Sequence, residues 1–262
     1  MAEDLAPSRD VAVAPDVAVA PDLSPDVALP HDLAPDVAPP RDLAPDLSLN
    51  PNGLVAYWRF DELAGTTLAD ATGNGNTGTS KGGPTWTIPG FSAAKFNNPG
   101  CLALDGQDDY VEVTVKTIPS NAAAKTLSVW FRAVNPAGLP IRNLIALIND
   151  TTDVGIQLGI YGGRVAAWYY GDPNPVLRAS AQVDGSWHHT AYTFDGKTQR
   201  IYYDGKLGMS VDSVPKAGAI THTRFGTYEA PDELFAGSID DVRIYSRALN
   251  ESEITALWSG AE

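Results

Sequence analysis

The chain has one cysteine, Cys101, among 262 residues, so no disulfide can close within it and cysteine usage says little about compartment. It also lacks an apolar run long enough to cross a bilayer as a helix, so no transmembrane segment is expected. Met1 is followed by Ala2, Glu3 and Asp4 rather than by basic residues and an apolar stretch, so no secretory signal is legible. Positive charge is scarce: 18 Lys and Arg face 32 Asp and Glu, a formal net charge of -14 that repels nucleic-acid phosphates and excludes nucleic acid as a partner. His-Glu-x-x-His and phosphate-loop signatures are absent, which removes the commonest metalloprotease and nucleotide readings. Aromatic residues are missing before Leu54 and glycine before Gly53, yet ten of the 20 prolines lie there. The first fifth of the chain is therefore a different material from the rest.

Residues 10 to 51 read DVAVAP, DVAVAP, DLSP, DVALPH, DLAP, DVAPPR, DLAP, DLSLNP, with Asp recurring every six or four positions. Proline at that density removes amide donors and fixes φ, so neither helix nor ladder propagates and the backbone favours polyproline II. The spaced carboxylates repel and extend it, to a reach on the order of 120 Å. Residues 1–52 are thus expected to be a disordered Asp/Pro/Ala-rich spacer. Residues 53–262 form one domain of roughly 210 residues, enough for a single core.

Within that domain, strands alternate with Gly- and Asp-rich turns. Leu54, Ala56, Trp58 and Phe60 alternate with Val55, Tyr57, Arg59 and Asp61, a period of two with bulk on both faces, as expected of a strand inside a sheet. Cys101, Ala103, Tyr110, Val111 and Val113 flank a turn from Asp105 to Asp109 and read as a hairpin. Further strands are expected at residues 126–133, 144–149, 154–161, 164–170, 187–194, 199–204 and 239–245. A helix follows, opened by a capping box of Asn250 and Glu253. This pattern predicts an all-β fold, a two-sheet antiparallel jelly-roll sandwich with a short C-terminal helix.

The blocks YWRFDE (57–62), DATGNGNTG (70–78), LALDGQDDYVEV (102–113), TLSVWF (126–131), WHHTAYTFDG (187–196), IYYDG (201–205) and FAGSIDDVRIYSRALNESEI (235–254) occur in one order. That order resembles the laminin G-like, concanavalin A-like lectin/glucanase domains of bacterial surface proteins. The resemblance implies that the first and last strands pair, with Tyr57 to Asp61 beside Ile239 to Tyr245, and that a calcium ion lies near the seam. It also implies an extracellular or bacterial cell-surface location, with an export segment expected ahead of this sequence. Some members pair a cysteine at the position of Cys101 with a second one, which this chain lacks.

Three clusters carry candidate chemistry. Asp70, Asn74 and Asn76 offer hard oxygens, and Gly73 and Gly75 permit them to converge; with Asp240 they make a candidate calcium site. Turn formation is the alternative for the loop, and ion pairing of Asp240 and Asp241 with Arg243 and Arg247 is the alternative for the strand. Around a Gly162-Gly163 turn, Gln157, Arg164, Trp168 and Tyr170 share the face opposite Ile156, Leu158 and Ile160. Rings that stack on sugars beside groups that bond hydroxyls suit a carbohydrate site, whereas packing beneath residues 171–175 is the structural alternative. His188 and His189, adjacent on one strand, point to opposite faces and cannot share a metal. The hairpin face carries no acid and no Glu-x-Asp-x-x-Glu occurs, so a non-catalytic, monomeric module is expected, binding a glycan, polysaccharide or another surface protein. A glycoside hydrolase on the same fold and a protein-protein scaffold remain the alternatives.

Overall fold

The computed structural model describes residues 53–88, 90, 98–114, 116–134, 141–150, 155–170, 176–216, 218–229 and 233–260, with the side chain of Tyr170 excepted. The expected spacer, residues 1–52, lies outside the described residues.

Sixteen strands and one helix follow in order among the described residues. They are β1 (Leu54–Trp58), β2 (Thr67–Leu68), β3 (Gly78–Lys81), β4 (Thr85–Thr87), β5 (Cys101–Asp105), β6 (Tyr110–Val113), β7 (Lys125–Ala133) and β8 (Ile141–Ile148). Then come β9 (Gly155–Tyr161), β10 (Arg164–Tyr170), β11 (Leu177–Arg178), β12 (Trp187–Phe194), β13 (Thr198–Tyr203), β14 (Lys206–Asp212), β15 (His222–Phe225), β16 (Ala236–Tyr245) and α1 (Glu251–Ser259). One sheet runs β14-β13-β12-β7-β16-β5-β4 with β1 on β16; the other runs β11-β10-β9-β8-β15-β6-β3-β2. Every described pairing is antiparallel. Alternate residues of both sheets, among them Leu127, Val129, Phe131, Ile156, Leu158, Ile160 and Tyr192, meet in one core. The jelly-roll sandwich read from the sequence is the fold.

The first and last strands pair, with Tyr57 opposite Arg243 and Trp58 opposite Val242. Two details of the sequence reading change. β1 stops at Trp58, and a bulge between Leu54 and Ala56 sends Leu54 to the far face, against Tyr245, Ile254 and Leu257 beneath α1. Its ladder has β16 alone as a partner, so the strand expected inside the sheet is an edge by hydrogen bonding. The turn from Asp105 to Asp109 is not a hairpin either: β5 joins β4 and β16 in one sheet, while β6 joins β3 and β15 in the other. The turn therefore carries the chain between sheets.

The helix begins as its sequence predicts. Asn250 accepts from Glu253 N at 3.0 Å, and Glu253 Oε2 accepts from Asn250 N at 2.8 Å, closing the capping box. Arg247 then grips Glu253 with both Nη atoms, at 2.9 and 2.7 Å. That commits Arg247 to the helix start rather than to Asp240 and Asp241.

Candidate functional site

Gly162 and Gly163 both have positive φ, 59° and 75°, which a tight two-residue hairpin turn requires. The turn sets Arg164 opposite Tyr161, Trp168 opposite Gln157 and Tyr170 opposite Gly155. Val165, Ala167 and Tyr169 enter the core with Ile156, Leu158 and Ile160. Gln157, Tyr161, Arg164 and Trp168 consequently stand on the outer face of the sheet. The backbone of Tyr170 keeps this register.

The face continues beyond the hairpin. Gln157 lies opposite Ala146, Ala146 opposite Arg224, and Arg224 opposite Glu112, so one row runs from Trp168 across five strands. A second row holds Arg178, Ala166, Gly159 and Asn143. A bulge between Asn143 and Ile145 turns Asn143 outward while Leu144 and Ile145 both enter the core.

Trp168 and Tyr161 are half-buried, with centroids 6.3 Å apart, and Arg164 is exposed beside the turn. The Arg178 guanidinium sits 3.8 Å over the Tyr161 ring, a cation–π contact that occupies one face of it. Among the rings described on the hairpin, Trp168 is therefore the one left to act as a platform. The small residues do not open space between rings as their size suggests. A Cβ at Gly159 would meet Arg142 O at 2.1 Å and one at Gly155 would meet Leu147 O at 2.4 Å, so glycine there serves close backbone approach.

Acids, absent from the hairpin itself, reach this face from other elements. Glu112 pairs with Arg224 Nε at 2.7 Å. Glu233 Oε2 accepts from Asn143 Nδ2 at 2.6 Å, and Glu233 O accepts from Asn143 N at 3.3 Å. Sequence reasoning missed Asn143 and Glu233 because a bulge and a distant loop bring them there. The positive φ of Glu233, 60°, leaves no trace in residue type.

The predicted calcium ligands divide. Asp70, Asn74 and Asn76 do come together, against the free edge of β1. Asp70 Oδ1 accepts from Tyr57 N at 3.2 Å, Thr72 N at 3.0 Å and Thr72 Oγ1 at 2.6 Å; its Oδ2 accepts from Asn76 N at 3.0 Å and Asn76 Nδ2 at 2.9 Å. Asn74 and Asn76 each donate from Nδ2 to Val55 O at 3.1 Å, and Tyr57 O accepts from Ala71 N at 2.7 Å. Both oxygens of Asp70 are answered by protein donors.

Asp240 is tied elsewhere: Oδ2 accepts from Asn98 Nδ2 at 2.8 Å and Oδ1 from Asp241 N at 2.9 Å. Asp241, in the left-handed region at φ 48°, accepts from Tyr57 Oη at 2.5 Å and lies 3.6 Å from Arg243. Here oxygens are left over: Asp61 Oδ1 and Asp241 Oδ2 are buried without a hydrogen-bond partner among the described residues. Burial, then the charge of Asp241, pushes Asp61 up to about 7. By the chemistry of its donors, this side of the seam fits a hard cation better than the Asp70 loop does.

His188 and His189 diverge as read. His188 is held by Asp204 at 2.9 Å and Asp184 at 3.0 Å, while His189 Nε2 meets Ser128 Oγ at 2.8 Å on the other face. A further acidic group, Asp105, Asp108 and Asp109, brings carboxylate oxygens within 4.8 Å of one another. Asp105 and Asp109 spend theirs on turn amides and on Gln107.

No curated protein matches the chain. Among solved structures, domain 4 of AbnA, a GH43 extracellular arabinanase from Geobacillus stearothermophilus in complex with arabinotriose, is similar at 24% identity with a TM-score of 0.63. That likeness covers 78% of this chain and 98% of that one. The binding domain of Paraclostridial Mosquitocidal Protein 1 is similar at 17% identity and a TM-score of 0.61, and that of botulinum neurotoxin serotype G at 16% and 0.58. These cover 79% and 78% of this chain, which spans only about half of the two toxin domains, 52% and 50%. At such identities the likeness establishes the fold. A family profile matches residues 105–255, more than half of the sequence, and by it the chain belongs to the concanavalin A-like lectin/glucanases superfamily.

Proposed function

We propose that residues 53–262 form a non-catalytic, extracellular glycan-binding module, with Trp168 as its stacking platform and Gln157 and Arg164 beside it. The observation that carries this reading is the β9–β10 register, which holds those side chains on one outer face. Tyr170 joins the site by the same backbone register. The arabinotriose complex of a domain with this fold supports a sugar as the ligand class. Binding rather than hydrolysis is favoured because the two acids described on the face are engaged, Glu112 by Arg224 and Glu233 by Asn143. The Asp/Pro-rich segment then serves as a spacer that projects the module from a bacterial surface.

A calcium ion stabilises the seam between β1 and β16 in this reading. Asp61 and Asp241 supply its carboxylates and Asp240 stands beside them, whereas Asp70, Asn74 and Asn76 close the edge of β1. The ion's part is electrostatic: it answers buried carboxylate oxygens that otherwise cost desolvation.

Trp168→Ala is expected to weaken glycan binding by about five- to thirtyfold, or roughly 1 to 2 kcal/mol, with an unchanged circular dichroism spectrum. Unfolding of that variant would make Trp168 a core residue. Release of reducing ends from a bound polysaccharide would make the protein an enzyme.

A further inference from the structure

The outer face that carries Trp168 also carries two arginines without an acid. Leu177 and Ala179 are buried in the core, so alternation turns Arg178 outward between them. Val165, also in the core, does the same for Arg164 beside the turn. The ladder fixes both positions: Arg178 lies opposite Ala166, and the amides of Ala179 and Val183 donate to Val165 O and Gly163 O, each at 2.9 Å. Arg164 stands two residues from Ala166 on the same face. The arginines are therefore diagonal neighbours, about 7 to 8 Å apart at the backbone.

Both side chains are exposed, and neither has an acidic partner among the described residues. Elsewhere in the domain Arg200, Arg224, Arg243 and Arg247 each face a carboxylate. In a chain with 32 Asp and Glu against 18 Lys and Arg, two like charges set side by side with no acid repel each other where partners are plentiful. The acids described on this face do not answer them. Glu112 is held by Arg224 at 2.7 Å. Glu233 sits on Asn143, three strands from Arg178 and so on the order of 14 Å away. That exceeds the screening length of about 8 Å at physiological salt.

Arg178 is also set in advance. Its guanidinium lies 3.8 Å over the Tyr161 ring, a stack that holds the plane in place, keeps the charge and leaves the N–H edges free. An exposed ion pair is ordinarily worth little, because two long side chains must be ordered to make it. Here the ladder and the stack have already ordered one of them. The Tyr161 centroid lies 6.3 Å from that of Trp168. A sugar lying on Trp168 thus brings an acidic group, on the same or the adjacent residue, within reach of the guanidinium.

Resting on the glycan reading above, we infer that Arg164 and Arg178 form an anion clamp beside Trp168 and that the preferred ligand is an acidic polysaccharide, bearing carboxylate or sulfate groups. The acidic group accepts from the guanidinium edges while a ring face lies on Trp168. The planar fork matches paired oxygens, and such charge-assisted bonds are about twice as strong as neutral ones. The net charge of -14 repels polyanions at long range, so a preference for one has to come from these contacts rather than from general attraction.

The test is equilibrium binding of the full chain, at physiological ionic strength, to polygalacturonate, to a sulfated galactan, and to neutral galactan and arabinan. One acidic polymer is expected to bind about tenfold or more tightly than the best neutral one, and which of the two does so distinguishes carboxylate from sulfate. Arg164→Gln, which has no partner to lose within the fold, and Arg178→Gln are each expected to cut the acidic-to-neutral ratio by about tenfold with an unchanged circular dichroism spectrum. Arg178→Lys is expected to restore little of it, since an ammonium keeps the charge but offers neither the stacked plane nor the fork. Neutral polymers bound as tightly as acidic ones, with Trp168→Ala still damaging, would overturn the clamp and leave the glycan reading standing. So would an acidic preference that survives when both arginines are replaced by Gln. No glycan binding at all, or binding indifferent to Trp168→Ala, would remove the glycan reading and this inference with it.

Discussion

His188 and His189 are neighbours in sequence with opposite electrostatics. Burial holds His189 down at about 3, so it is a neutral ring between Ser128 and Trp130. Burial also disfavours the charged form of His188, but its hydrogen bonds to the Asp204 and Asp184 carboxylates outweigh that and raise the group above its ordinary value. A raised folded-state pKa contributes stability that is complete below the unfolded value and lost as pH climbs through the folded one. Wild type is therefore expected to melt higher than His188→Gln at pH values below the ordinary imidazole range, with the gap closing as pH rises above that range. Parallel melting curves across that range would show that the clamp holds no proton. The opposed faces were legible in sequence, because adjacent residues on a strand must diverge; Asp184 and Asp204 were not, since a turn and a strand end deliver them.

At the scale of elements, β1 shows how a local pattern can be read correctly and its surroundings missed. Its apolar residues identified a strand, yet nothing in residues 54–61 says that the outer edge will be closed by side chains rather than by another strand. The loop does this, with Asp70 bonding Tyr57 N and with Asn74 and Asn76 on Val55 O. An edge so covered offers no template to another chain. Asp70→Ala is accordingly expected to lose on the order of 1 to 3 kcal/mol with or without calcium. Calcium at a hundredfold excess over its dissociation constant is worth roughly 2.7 kcal/mol, or about 5 to 10 °C for a domain of this size. That increment is expected to survive in Asp70→Ala and to vanish in Asp61→Asn. The reverse pattern would return the ion to the Asp70 loop, and no increment in wild type would remove it altogether.

For the whole molecule, a chain starting at residue 53 is expected to melt within a degree or two of the full-length protein, as befits a domain with its own core. A drop of several degrees would show that the first 52 residues contribute to the fold. The division between what residue order determined and what only the tertiary structure decided follows the range of the forces. Period-two alternation, a glycine pair at a turn and a capping box act over a few residues. They sufficed for the sandwich class, for the register that sets Trp168 opposite Gln157, and for the helix start. β14 and β15, and the short strands β2, β3, β4 and β11, carry weak local signals; β15 exists because β8 and β6 bond it from both sides. Alternation tells which way a side chain faces but not which strand lies alongside, so the step from β5 to β6 between sheets was invisible. The meeting of Asn143 and Glu233 was invisible for the same reason: it needs a bulge and a distant loop at once, and only the packed sheet supplies both.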